Sequence, residues 1–179
     1  MALLSRGPSL GAIALLAILV VVLLSGGGDD GGSGGGRPGG EEPRDGIVVP
    51  VADVVDGDTI EVLIDGREED VRYIGVDTPE SVKPGSPVEC FGPEAGEYNE
   101  RLVDGRQVRL DFGPERRDDY GRLLAYVYLG DRFVNAALVR GGYATTLTIA
   151  PNDRFAPLFD RLEQEAGNAG RGLWGECGP

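Results

Sequence analysis

Hydrophobic and polar positions alternate most clearly between Thr59 and Ile64, where Ile60, Val62 and Ile64 are interleaved with Thr59, Glu61 and Leu63. A period of two predicts a β-strand. Asp65-Gly66 follows as a turn dipeptide suited to a tight hairpin, and the returning strand carries Arg72, Ile74 and Val76 at one parity. The Val-rich run Ile47–Val55 reads as a first strand, with Pro50 marking an edge or a bulge. Gln107–Phe112 predicts a fourth strand with Val108 and Leu110 on one face, and Leu123–Tyr128 a fifth. Between these last two, Gly113–Asp119 reads as a charged loop, and Ser81–Phe91, with Pro84, Gly85 and Pro87, as another. Helical spacing appears three times. Ala95, Tyr98 and Leu102 follow Pro93 and stop at Asp104-Gly105; Val134–Arg140 is closed by Gly141-Gly142; Phe155, Leu158, Phe159, Leu162 and Ala166 form one stripe between Asp153 and Asn168. Trp174 beyond it is expected to pin the tail to the core. The expected class is α+β, mainly β: a five-stranded OB-fold barrel with about three helices.

Two charges disturb this pattern. Asp58 stands at the head of the second strand, in parity with its three apolar residues, and Arg72 takes an apolar parity on the third. A charge buried without a partner is costly, so each needs compensation, which a bound cation and an anionic ligand would provide. Pro79 then ends the ladder at Val76-Asp77-Thr78-Pro79-Glu80, leaving Asp77 and Glu80 at a strand end near the start of Asp58's strand. Taken singly, Asp-Gly is a common turn and Thr-Pro a common strand stop. Together they predict three carboxylates and a guanidinium converging on a cation-and-phosphate site.

The 179-residue chain opens with Arg6 and an apolar run, Ala12–Leu24, of 13 residues. That is short for a bilayer span and typical of a signal peptide. Residues 1–25 are therefore expected to be a signal peptide or an N-terminal membrane anchor, residues 26–46 a Gly-rich disordered linker, and 47–176 the folded domain. Either form of leader places the domain outside the cytoplasm, secreted or tethered to the outer face of the membrane. Cys90 and Cys177 are the two cysteines. In an oxidising compartment an even pair predicts a disulfide between the loop before the first helix and the C-terminus, the alternative being two buried thiols.

The absence of histidine excludes Ser-His-Asp and Cys-His catalysis and His-ligated metals. Acid–base work falls to Asp, Glu, Tyr, Lys or water. A net charge of −13 argues against a broad basic surface for nucleic acid, though not against a small local site. Of 17 basic residues only Lys83 is lysine, which leaves 17 − 1 = 16 arginines. Arginine suits bidentate phosphate binding.

Five motifs in order carry a family likeness: DGDT at Asp56–Thr59, VRYIGVDTPE at Val71–Glu80, FGPEA at Phe91–Ala95, DDYGRLLAYVY at Asp118–Tyr128 and VNAALVRGGYA at Val134–Ala144. Across Ile47 to Trp174 the chain resembles the staphylococcal nuclease (thermonuclease) family. The resemblance implies a calcium-dependent phosphodiesterase acting on DNA and RNA and leaving 3′-phosphate ends. By motif position it makes Asp58 and Asp77 carboxylate ligands of Ca²⁺, with the Thr78 carbonyl as a third. It makes Glu80 the general base holding the attacking water, Arg72 and Arg122 the clamp on the scissile phosphate, and Tyr120 a contact to a neighbouring phosphate. Two departures weaken nucleotide binding. Thr148 and Ala150 stand where the family's type member has tyrosines flanking the nucleotide, and Asp119 replaces a phosphate-binding lysine. The expected partners are a DNA or RNA substrate and, through the leader, a membrane; the domain is expected to be a monomer. Competing readings are a non-catalytic OB module that binds nucleic acid or protein, and a structural calcium-binding domain. The first should lack one of the Arg or Glu positions, and the second leaves Arg72 and Arg122 without a role.

Overall fold

The Asp65-Gly66 turn sets the register of the hairpin that carries the candidate site. Both residues take positive φ, 52° and 76°, so β2 (Thr59–Ile64) and β3 (Arg67–Tyr73) are joined by two residues and pair from Thr59↔Arg72 to Ile64↔Arg67. This computed structural model describes residues 46–81, 85 and 87–177. The expected leader at 1–25 and all of the linker but Gly46 lie outside them.

β1 (Ile47–Val54) pairs with β5 (Gln107–Arg117) through Ile47–Pro50 and with β2 through Val51–Val54, shifting register between Val51 and Asp53. The Pro50 signal thus marks a bulged strand with neighbours on both sides. β6 (Leu123–Leu129) pairs antiparallel with β5 and parallel with β3 through Arg72↔Leu124, closing a five-stranded barrel in the order β3-β2-β1-β5-β6. A two-residue β7 (Arg132–Phe133) extends the sheet beyond β6. Ile60, Val62, Val71, Val108, Leu110, Ala125 and Val127 are fully buried in the barrel core. The helices α1 (Gly92–Val103), α2 (Val134–Gly141) and α3 (Ala156–Asn168) follow the predicted stripes, and a single turn, α4 (Leu173–Glu176), comes after them.

Three expectations are corrected. The third strand ends at Tyr73; Gly75 (φ 81°) turns the chain, and Gly75–Asp77 forms a separate strand, β4, paired with β8 (Thr145–Leu147). A Cβ at Gly75 would lie 2.4 Å from the Phe159 ring, so both the turn and the close approach of α3 demand glycine there. Because the strand breaks, parity does not run from Arg72 to Ile74 and Val76: Val71 and Tyr73 face the core and Arg72 faces away. Second, β5 runs through the supposed charged loop as far as Arg117. Its outer half has no apolar period because it is held by polar contacts, Asn152 bonding both the N–H and the C=O of Glu115, and Arg117 meeting Glu69 at 2.9 Å. Third, Trp174 is 39% exposed and is no core residue; α4 ends the fold through Leu173 N–H to Gly142 O (2.9 Å) instead.

Cys90 and Cys177 are bonded, their Cα atoms 5.9 Å apart across 87 positions of sequence, joining the start of α1 to the end of α4. Closing a loop of that length restricts the unfolded chain most. Replacing both cysteines by serine is expected to lower unfolding free energy by about 4–5 kcal/mol, read as a shifted urea midpoint. An unchanged midpoint would show that the two ends are already held by packing.

Candidate active site

The site begins where β2 starts. Asp58 N–H donates to Asp56 Oδ1 (3.0 Å), curling the DGDT loop, and Asp58 C=O accepts from Tyr73 N–H (2.9 Å), binding that loop to the end of β3. Thr78 packs on Gly57 so closely that a Cβ there would come within 2.7 Å of its hydroxyl. The Asp58 side chain, 6% exposed, is thereby enclosed. Its Oδ2 accepts from Thr78 N–H (2.7 Å) and Thr78 Oγ1 (2.9 Å), and Thr59 Oγ1 donates to Oδ1 (3.3 Å).

Arg72 ties the two aspartates together. Its Nε lies 3.1 Å from Asp58 Oδ1 and its Nη2 2.7 Å from Asp77 Oδ1, while Nη1 donates to Tyr73 O (2.9 Å) and Val76 O (2.6 Å). The guanidinium therefore fills the turn between β3 and β4 and balances a buried and a half-exposed carboxylate. Burial lifts the Asp58 carboxyl to about 6 from an ordinary 3.8, against the opposing pull of the Arg72 charge and the Thr78 bonds.

Arg122 is placed by a different device. Asp118 Oδ1 accepts from Tyr120 N–H (3.0 Å) and Arg122 N–H (2.9 Å), Oδ2 accepts from Arg122 Nε (2.8 Å), and Gly121 N–H donates to Asp118 O (3.0 Å). Burial alone would raise the Asp118 carboxyl, but these bonds and the guanidinium charge hold it below its ordinary value. Arg72 pairs with Leu124, so Arg122, two residues earlier on the neighbouring strand, shares its face. Both arginines line a cavity of about 310 Å³ together with Asp118, Tyr120, Leu124 and the β8-side residues Leu147 and Ile149. Tyr120 is 88% exposed at the rim, its ring 5.6 Å from the Arg122 guanidinium carbon.

Glu80 lies on the α1 side, outside the lining of that cavity. Its N–H donates to Glu89 Oε2 (2.9 Å), its C=O accepts from Glu89 N–H (2.8 Å), and its Oε1 accepts from Ser81 N–H (3.0 Å). Asp58, Arg72, Asp77 and Thr78 are thus in direct contact, Arg122 and Tyr120 join them around one cavity, and Glu80 sits two residues past Thr78. The wall beside Tyr120 is Leu147 and Ile149; Thr148 and Ala150, singled out from sequence, do not line it. Asp118 went unrecognised, although the Asp-x-Tyr-Gly-Arg turn was legible as a loop that needs an acceptor.

With this geometry in place, the chain can be set beside known proteins. The family model described as "Staphylococcal nuclease homologue" matches residues 70–176. The chain belongs to the staphylococcal nuclease family. The thermonuclease of Staphylococcus intermedius is 42% identical over 121 residues, 68% of this chain and 72% of that protein. Endonuclease YncB of Bacillus subtilis (strain 168) is 40% identical over 126 residues, 69% of this chain and 60% of that protein. The family match starts inside β3, so Asp58 lies before it and reaches the site through barrel closure.

Two carboxylates and a carbonyl form an all-oxygen donor set, which suits a hard cation such as Ca²⁺, and the raised carboxyl of Asp58 is one that a cation would stabilise as carboxylate. Among the described residues no group of three or more His, Cys, Asp or Glu side chains gathers at metal-binding spacing, so carbonyl and water ligands would complete the shell. Asp58 also has a signature without metal. A carboxyl that binds its proton more tightly in the fold contributes stability fully below pH 3.8 and loses it as pH rises through about 6. In EDTA, the wild type should lose about 2 kcal/mol relative to Asp58→Asn between pH 4 and pH 7, measured by urea unfolding. Parallel curves for the two proteins would contradict the burial of this carboxyl.

Proposed function

We propose that this nuclease hydrolyses DNA and RNA outside the cell with Ca²⁺ held by Asp58, Asp77 and the Thr78 carbonyl, leaving 3′-phosphate ends. The observation that carries this reading is the contact of Arg72 with both aspartates, 3.1 and 2.7 Å away, at the edge of a cavity that Arg122 also lines. When bound, calcium supplies positive charge that offsets carboxylate–phosphate repulsion and polarises a phosphoryl oxygen.

The protein's own groups account for the rest. Arg72 neutralises Asp58 and Asp77 in the free site. Once another cation balances those carboxylates, its Nη2 can turn to a phosphate oxygen. Arg122, aimed by Asp118, offers Nη donors from the neighbouring strand, and two guanidinium forks stabilise charge as it builds on the phosphoryl oxygens. Glu80 orients a water and takes its proton as the oxygen attacks phosphorus; the bond to the 5′ oxygen breaks, and the phosphate remains on the 3′ side. Both arginines hold their protons too tightly to give one up, which leaves solvent water and the exposed Tyr120 hydroxyl as donors to the departing oxygen. Leu147 and Ile149 offer an apolar wall to a base in place of aromatic stacking, so base affinity is modest. Extracellular action agrees with the Cys90–Cys177 bridge and with the apolar leader.

Incubation with plasmid and single-stranded DNA should give cleavage with Ca²⁺ and none in EDTA. Glu80→Gln should lose activity by about 10²–10⁴-fold while calorimetry shows calcium still bound. Cleavage in EDTA, or full activity of Glu80→Gln, would overturn the mechanism; calcium binding without any cleavage would make the site structural. Asp118→Ala frees the Arg122 loop, and its kcat is expected to fall about 10-fold or more with calcium affinity unchanged. An unaltered kcat would mean that Arg122 needs no such support.

A further inference from the structure

A second concavity, with a volume of about 750 Å³, opens beside α2 and β7. Arg132 of β7, Arg140 in the last turn of α2 and Arg171 between α3 and α4 line it, with the half-buried rings of Tyr98 and Phe133 and a single acid, Asp131. Among the described residues no carboxylate lies within salt-bridge distance of any of these three guanidiniums, whereas Arg101, Arg109, Arg117, Arg122 and Arg161 are each paired with one and Arg72 with two. The helix terminus explains part of the cluster. Arg171 Nη1 donates to Arg140 O (3.1 Å), and cations favour the carbonyl end of α2. It explains neither Arg132, which comes from a strand before that helix, nor the open volume bounded by all three.

In a chain of net charge −13, a groove holding three exposed arginines and one acid is a local reversal of sign. A polyanion is repelled elsewhere and attracted here. Guanidiniums take phosphate oxygens in bidentate fashion. The groove also adjoins the ring cluster behind the active site. Phe133 meets Tyr126 edge-on at 6.1 Å between centroids, and Tyr126 is two residues along β6 from Leu124 of the catalytic cavity.

We infer that this groove is a second nucleic-acid site, which holds the backbone of a single strand outside the scissile position and lets an acidic enzyme retain a long substrate. The inference rests on the nuclease reading for its ligand, but binding and cutting can be tested apart. The partner is a single-stranded polynucleotide; an acidic protein segment is the competing occupant.

The test combines Arg132→Gln, Arg140→Gln and Arg171→Gln in one protein, with the three Arg→Lys changes as a second. On long single-stranded DNA with Ca²⁺, the Gln variant should show KM raised about tenfold, and the slope of log KM against log salt should fall by about two. Its kcat/KM on a dinucleotide, too short to reach the groove, should stay at the wild-type value, and the Lys variant should retain most of the long-strand affinity. Fluorescence anisotropy of labelled single-stranded DNA on a Glu80→Gln background reads binding without cutting and should weaken by the same factor. Equal losses on the long and short substrates would mean damage to the active site or fold, and no loss on either would remove the groove from substrate binding; both overturn the proposal. So would displacement of the labelled strand by polyglutamate as readily as by unlabelled DNA. If the wild type cuts neither substrate, the nuclease reading fails, while the anisotropy arm still decides the groove.

Discussion

A carboxylate shut away from water has to be answered from inside the protein, and Asp58 is answered by two other segments at once. The amide and hydroxyl of Thr78 and the guanidinium of Arg72 all reach its two oxygens. Its own carbonyl binds the end of β3. The compensation is incomplete, since the carboxyl still binds its proton more tightly than an exposed one would. That residual penalty is one a bound cation would relieve, as the proposed calcium site requires. Stability and reactivity are thus opposed in one side chain, as expected where function keeps a charge in a low-dielectric place.

Around this centre the fold fastens non-repetitive backbone with buried amides. Asn135 of α2 donates to Ile74 O at 2.8 Å and accepts from Val127 N–H at 2.9 Å, bridging β6 to the turn between β3 and β4. Asn99 of α1 accepts from Tyr73 and donates to Asp56 O, fixing the DGDT loop from the helix side. Glu163 of α3 receives both the N–H and the hydroxyl of Thr146, holding the β8 partner of β4. The two asparagine clamps join a helix to a turn or loop whose backbone groups have no ladder of their own, which is where buried polar side chains contribute most.

Charge is organised the same way, locally and against the average. The neighbouring strands β1, β2 and β3 carry carboxylates that face one another: Glu61 is opposite Asp70 and Asp53, and burial together with these neighbours and Glu68 pushes its carboxyl up. Arginine answers carboxylates at Arg72 and Arg122 and gathers in the groove beside α2. A net charge describes solubility and long-range repulsion; a site is described by the few groups within a Debye length of it.

The chain by itself determined the barrel and its class. Period-two alternation, the Asp-Gly hairpin turn and the three helical stripes are local properties, and locally consistent signals survive folding. Motif order likewise named Asp58, Arg72, Asp77, Thr78, Tyr120 and Arg122, which the fold gathers around one cavity and its edge. Only tertiary structure decided the rest. Parity could not show that Arg72 faces away from the core, because Gly75 breaks the strand to admit Phe159 from an element more than eighty residues later. The outer half of β5 was illegible because its partners, Asn152 and Glu69, are distant in sequence and its own residues carry no apolar rhythm. The pairing of Asp118 with Arg122, the wall of Leu147 and Ile149, and the arginines beside α2 depend on which surfaces meet, and side chains separated along the chain become neighbours only when the barrel closes.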